Sequence, residues 1–391
     1  MTGSLPPYMS PPRDLRLDFF RGLALFCIFI DHIPNNVASA FTIQVLGLAD
    51  AAEVFILIAG YAAGMVYGRH FIAGNTVVGI ARIYNRVWQL YVAHIFMFVI
   101  FLATVARTVA VLNSSLYAEE LRAADFLAEP DVAIAKALML QFQPQLMDIL
   151  PLYIVLLALL PGVLWGFRHV PGLVLSASLA LWLAVQATDG LALPAYPGPD
   201  LVWPFNPFGW QALFFLSAYF GWRGVQGDIS LLGRPWLLWG AVAYAVFCLW
   251  MRNYTLFHDA SDSLPATLIL ELWPYLGKTD LSPLRFANVL AWGVIVARLV
   301  HPQARILAGG LARPFVLCGR HSLHIFCLGI LLSVIGHFII DEMYGGVGVQ
   351  LAISLGGVAI MVGVAAVMEW FAGVSQRRHR VTDGAHKAGA R

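Results

Sequence analysis

The stretch "RGLALFCIFIDHIPNN", residues 21–36, decides the fold. It opens on an arginine, runs apolar from Leu23 to Ile30, then carries Asp31 and His32 ahead of Pro34 and two asparagines. Such an apolar run reads as a membrane helix. An ionisable side chain inside one costs at least ~2.5 kcal/mol at mid-bilayer and by default marks a function. The ordinary alternatives are a snorkelling Arg21, neutralised by Asp18 three residues back, and a neutral His32 satisfied by a backbone carbonyl. The polar cluster of Asp31, His32, Asn35 and Asn36 cannot face lipid, so it is expected to line a pocket inside a bundle. Arg21 and His32 stand about three turns apart, which puts them on one helix face with roughly 16 Å between them along the axis.

The rest of the chain agrees with lipid as the solvent. Of 391 residues, 60% are hydrophobic and 12% charged, and the mean hydropathy is +0.75. A soluble domain carries about twice that share of charge. The net charge of +2 is spread thinly, with no basic patch interleaved with aromatics, so no nucleic-acid partner is expected. Cys27, Cys248, Cys318 and Cys327 sit in apolar runs and read as small buried hydrophobes. The polar leader has no h-region, which predicts that the first helix is retained.

Apolar runs broken by Pro, Gly and charge predict an all-α, polytopic membrane bundle of about ten helices in one domain over 1–391. They fall near 17–36, 47–68, 84–110, 149–167, 171–188, 208–223, 235–252, 283–300, 314–340 and 347–374. Residues 1–16 form a leader and 375–391 a basic tail. With the N-terminus inside, 18 of the 24 lysines and arginines fall on the cytoplasmic side, so both termini are expected there. Gly60, Gly64 and Gly68, four residues apart, predict close helix packing. The outward segments hold Trp203, Phe205, Trp210, Trp273 and Tyr275, which fit either an interfacial belt or stacking platforms for sugar rings.

Two further constellations carry chemistry. Glu53, at the start of the second, inward-running span, is placed at a depth similar to His32 and is the better partner for it. Asp31, next in sequence, points about 100° away; Asp50 and Asp148 are weaker candidates. Arg82 and Arg86 share a face at the inner end of the third span, where two guanidinium groups suit phosphate oxygens, although plain topology anchoring explains either alone. His94 reads as a core histidine. No GxSxG elbow, Walker loop, HExxH or CxxC pair appears, so no metal site is expected.

An arginine, ten residues and a histidine in the first span, with Arg82 and Arg86 in the third, resemble the integral-membrane acyltransferase superfamily. More narrowly, "RDLRLDFFRGLALFCIFIDHIPNN", "DAAEVFILIAGYAAGMVYGR", "ILPLYIVLL", "GKTDLSPLR" and "GRHSLHIFCLG" resemble the OpgC family. The resemblance implies an O-acyltransferase of the bacterial inner membrane that moves succinyl groups from cytoplasmic succinyl-CoA to hydroxyls of an osmoregulated periplasmic glucan. On that reading His32 is the general base, with Glu53 and Asp31 beside it, and Arg21, Arg82 and Arg86 hold the CoA phosphates. An acyl-histidine intermediate is the runner-up mechanism. Lys278 or Arg285 could meet a succinyl carboxylate, though both could be exposed loop charges. The alternatives are a proton-coupled transporter or flippase of a lipid or sugar, and a structural or signalling membrane protein. Association into a homo-oligomer is left open.

Overall fold

A computed structural model describes residues 14–112, 116–188, 190–198, 201–228, 230–257 and 271–388. Asp14 starts the first helix, α1 (Leu15–Asp31), by accepting from the Arg16 amide at 3.0 Å. Pro34 ends it: the residue before a proline is pushed out of the helical region, and Asn35 turns left-handed at φ 55°. His32 therefore stands at the helix C-cap, its amide bonded to the Ile28 carbonyl, one position beyond the helix in which the sequence placed it.

Two short 3₁₀ turns, Val37–Phe41 and Ile43–Leu46, lead into α2 (Ala51–Ile72). There follow α3 (Thr76–Leu112), three short helices α4 (Leu116–Glu120), α5 (Ala124–Ala128) and α6 (Pro130–Leu138), then α7 (Ile149–His169), α8 (Pro171–Ala187), α9 (Pro207–Val225) and α10 (Pro235–Phe257). The chain closes with α11 (Pro283–Leu299), α12 (Arg305–Ala308), α13 (Arg313–Arg320), α14 (Ser322–Glu342) and α15 (Val347–Ala388). Among the described residues the only extended pairing is a lone bridge between Pro194 and Val202.

Among the described residues, six helices (α2, α3, α7, α10, α14 and α15) are long and apolar enough to cross a membrane. The helices α1, α8 and α11 have 17 residues each, about 25 Å of rise against a hydrocarbon core of about 30 Å. The span read at 314–340 is two helices. They meet at His321, where α13 lies so close to α1 that a Cβ on Gly22 would meet the Phe315 carbonyl and one on Gly319 the Asp18 carbonyl.

The glycine stripe does what its spacing predicts. A Cβ on Gly60 would meet the Ser217 hydroxyl and the Phe214 carbonyl, one on Gly64 the Ala218 carbonyl, and one on Gly68 the Trp222 ring at 2.7 Å. From the other side, a Cβ on Gly221 would meet the Tyr61 carbonyl. So α2 and α9 touch backbone to backbone, and an apolar core running from α1 through α15 surrounds them. The four cysteines are free thiols.

Three of the aromatics in the outward segments are neither belt nor platform. Trp203, Phe205 and Trp210 are buried and only Tyr275 is exposed; the side chain of Trp273 lies outside the described residues. Trp210 is buried because its indole N–H is spent on the carbonyls of Lys278 (3.0 Å) and Thr279 (3.1 Å).

Candidate functional site

The polar residues gather at two ends of the bundle. At the end marked by His32, the N-terminus of α2 carries a capping box. Asp50 accepts from the Ala52 amide and Glu53 from the Asp50 amide, both at 2.9 Å. Lys278 donates to Asp50 at 2.7 Å, and Arg285 reaches Asp50 at 3.0 Å and Glu53 at 2.7 Å. Two acids and two bases thus form one network, with Glu53 fully buried and the Arg285 side chain 13% exposed. Glu53 is committed to Arg285 and to its own helix cap. It holds no hydrogen bond to His32.

Asp31 is also committed. Its Oδ1 accepts from the Thr42 hydroxyl (2.8 Å) and the Gln44 amide (3.1 Å), which ties the loop after α1 back onto the helix end. His32 follows Asp31 as the C-cap of α1. Its Nδ1 is buried without a hydrogen-bond partner, and Lys278 and Asp50 are the charges that act on its ring. A buried imidazole nitrogen normally finds a partner, so an open one beside a charged network is the unusual feature of this end.

Lys278 is the residue that sequence reading undervalued. Its backbone sits in a loop pinned from α8 and α9. Besides the Trp210 indole, Trp182 donates to the Leu281 carbonyl (2.9 Å), Gln186 to the Asp280 carbonyl (2.8 Å), and Asn206 to the Asp280 carboxylate (2.7 Å). The Asn206 amide donates to the Thr279 carbonyl at 2.8 Å. The ammonium stands 5.3 Å from the Phe205 ring centroid, and 41% of the side chain is exposed. Burial opposes its charge, yet Asp50 and Glu53 outweigh burial and hold the ammonium above its ordinary value. Asp148, the N-cap of α7, is raised as well, but by burial, which pushes its carboxyl up against the pull of Lys278. Lys278 and Arg285 are therefore not loose loop charges. The signal for them lay in the spacing: two cations flanking Pro283, matching two acids three residues apart at the start of α2. Asn288 was missed too; its Oδ1 accepts from the amides of Leu48 and Ala49, both at 3.0 Å, and fixes the approach to α2.

At the other end, Asp18 lies between Arg21 (3.9 Å) and Arg320 (3.8 Å), and Glu369 pairs with Arg320 (2.8 Å) and His321 (3.1 Å). A cavity of about 110 Å³ opens here among α1, α2, α3, α7 and α14. Arg21 and Arg86 both line it, together with Phe55, Tyr153, Ser322 and Phe326. Arg82 does not line it: its guanidinium is exposed and within 3.2 Å of His70 Nε2. The expected trio is therefore a pair in the cavity with the third arginine outside, and His32 is not among the cavity's walls. His94 is fully buried on α3 with neither ring nitrogen bonded. Among the described residues no three His, Cys, Asp or Glu side chains cluster as metal ligands.

A family model described as "OpgC protein" matches residues 13–373. No curated protein and no solved structure matches the chain.

Proposed function

The chain belongs to the OpgC family, which makes it a membrane acyltransferase of glucan modification, and from that premise we propose its reaction and its base. The donor is cytoplasmic succinyl-CoA, and the acceptor is a hydroxyl of a periplasmic glucan on the far side of the bacterial inner membrane. Both termini lie in the cytoplasm and about ten helices cross. Arg21 and Arg86 face the donor phosphates, with Arg82 at the entrance. Guanidinium groups suit phosphate oxygens because they offer paired N–H donors at fixed geometry.

His32 takes the proton of the sugar hydroxyl as that oxygen attacks the thioester carbonyl. The tetrahedral intermediate expels the CoA sulfur, which leaves as the free thiol with the proton His32 had taken. Asp31 and Glu53 position the base from either side through the loop and the α2 cap. The observation that carries this reading is the buried Nδ1 of His32 with no protein partner, held at the end of α1 beside a fixed charge network. The cavity at the arginine end is well below the ~300 Å³ of an ordinary ligand pocket, so donor binding has to part the helices.

The test is glucan-dependent release of thiol from succinyl-CoA by the purified protein in detergent. Wild type is expected to release it and His32→Ala to lose at least about a hundredfold, as removal of a general base does. Release that survives in the variant would refute the assignment of the base. A folded wild type inactive with every acyl-CoA would refute the donor.

A further inference from the structure

Transfer from a thioester leaves a negative charge on the carbonyl oxygen, and His32 as base cannot stabilise it. A second group must donate there. We propose that Lys278 is that donor, its ammonium binding the oxyanion while His32 holds the proton; this rests on the reaction proposed above.

Three observations point to it. First, Lys278 is tied through Asp50 into the charged network at the end of the bundle where His32 caps α1, although 246 residues separate the two in sequence. Second, its position is set in advance. The Trp210 indole grips the Lys278 and Thr279 carbonyls, Trp182 and Gln186 hold the next two, and Asp50 takes one ammonium proton at 2.7 Å. Donors fixed before the reaction need no reorganisation when charge develops, which is what an oxyanion site requires. Third, the ammonium is still available. It has three N–H donors and spends one on Asp50, and 41% of the side chain is exposed. Arg285 is no substitute: its side chain is 13% exposed and bridges both Asp50 and Glu53. Arg285 neutralises the acids, which leaves Lys278 the cation with capacity to spare. In the step itself the ammonium donates a hydrogen bond and keeps its proton; the C–O bond to the sugar forms, and the C–S bond breaks.

The experiment measures kcat and KM of glucan-dependent thiol release with succinyl-CoA and with acetyl-CoA for wild type, Lys278→Met and Lys278→Gln. Lys278→Gln keeps a donor to Asp50 and loses the charge, so it stands in if Lys278→Met does not fold; thermal unfolding in detergent checks both. The expected result is a fall in kcat of about 10²–10³ with both donors and little change in KM, the size seen when one oxyanion donor is removed. Unchanged kcat in a folded variant overturns the proposal. So does a loss confined to KM for succinyl-CoA, which would assign Lys278 to the donor's carboxylate. A wild type that releases no thiol in response to glucan takes down the reaction and this inference together. An active wild type with fully active Lys278 variants takes down only this inference.

Discussion

Replacing Arg285 with methionine tests the charge network directly, because Glu53 is left with nowhere to put its charge. In the native chain the buried carboxylate of Glu53 accepts from the Arg285 guanidinium at 2.7 Å and from the Asp50 amide at 2.9 Å. Arg285→Met keeps most of the side-chain volume and deletes the cation, so the packing loss is small and the electrostatic loss dominates. Removing one partner of a buried pair costs about 3–5 kcal/mol. Glu53 keeps its bond to the helix cap and Lys278 remains near, which places the cost at the low end, about 3 kcal/mol. Removing both charges, as Glu53→Gln with Arg285→Met, should recover most of it, since a buried pair exchanged for neutral groups is often neutral overall. The assay is unfolding in mixed detergent micelles for wild type, the two single variants and the double variant, analysed as a double-mutant cycle. A single variant within about 0.5 kcal/mol of wild type would refute the reasoning, because ordinary surface changes are that small. A double variant less stable than Arg285→Met alone would also refute it.

Other outcomes follow from the same geometry. Arg86→Ala should raise KM for the acyl-CoA about tenfold or more with little change in kcat, whereas Arg82→Ala, outside the cavity, should have a much smaller effect; equal effects in steady-state kinetics would contradict the placement. Gly64→Leu should push α2 from α9, costing at least about 1–3 kcal/mol, and elute as aggregate on gel filtration; a monodisperse, fully stable variant would contradict the contact. Thr42→Val removes one of two donors to Asp31 and should destabilise by about 1.5–3 kcal/mol and lower kcat, read by thermal unfolding and thiol release. The Lys278 ammonium is held above its ordinary value, so its stabilising share is complete below the unfolded value of about 10.4 and is lost only as pH rises through the higher folded value. The gap in melting temperature between wild type and Lys278→Met should therefore stay level from about pH 6 to pH 9; a gap that closes by about pH 8 would refute the pairing.

Much of the architecture was legible because lipid enforces a simple rule: backbone groups must bond within their own helix, so apolar length marks each element. Helices stand where the sequence placed them, although the stretch 314–340 is two helices and, among the described residues, six are long and apolar enough to cross a membrane; the stripe of Gly60, Gly64 and Gly68 announced its contact with α9. Where α1 stops was less legible, since Pro34 and the left-handed Asn35 act against a pattern that reads as helix through Asn36. The break at His321, where φ is −105° and ψ 31°, has no proline or glycine after it to mark it in the sequence. The spacing paired Arg82 with Arg86, yet it is Arg21 and Arg86 that meet at the cavity, while Arg82 turned to His70. The site around His32 was the least legible part. Asp50 and Lys278 lie 228 residues apart, and Asp31 meets Thr42 only because a loop folds back, so no local periodicity encodes either contact. Burial of Trp203, Phe205 and Trp210 likewise depends on a distant loop coming to rest on α9.

The grip on that loop has a consequence for anyone redesigning the protein. Trp182, Gln186, Trp210 and the Asn206 amide all hold residues 278–281 by main-chain carbonyls, which every amino acid supplies. The path of the chain is therefore insensitive to the side chains at 278 and 279. It is constrained by side chain at Asp280, which receives Asn206, and at the buried Leu281, which adopts φ 52°. A library randomised at 278 and 279 would vary the chemistry presented to His32 while the scaffold beneath it stayed in place.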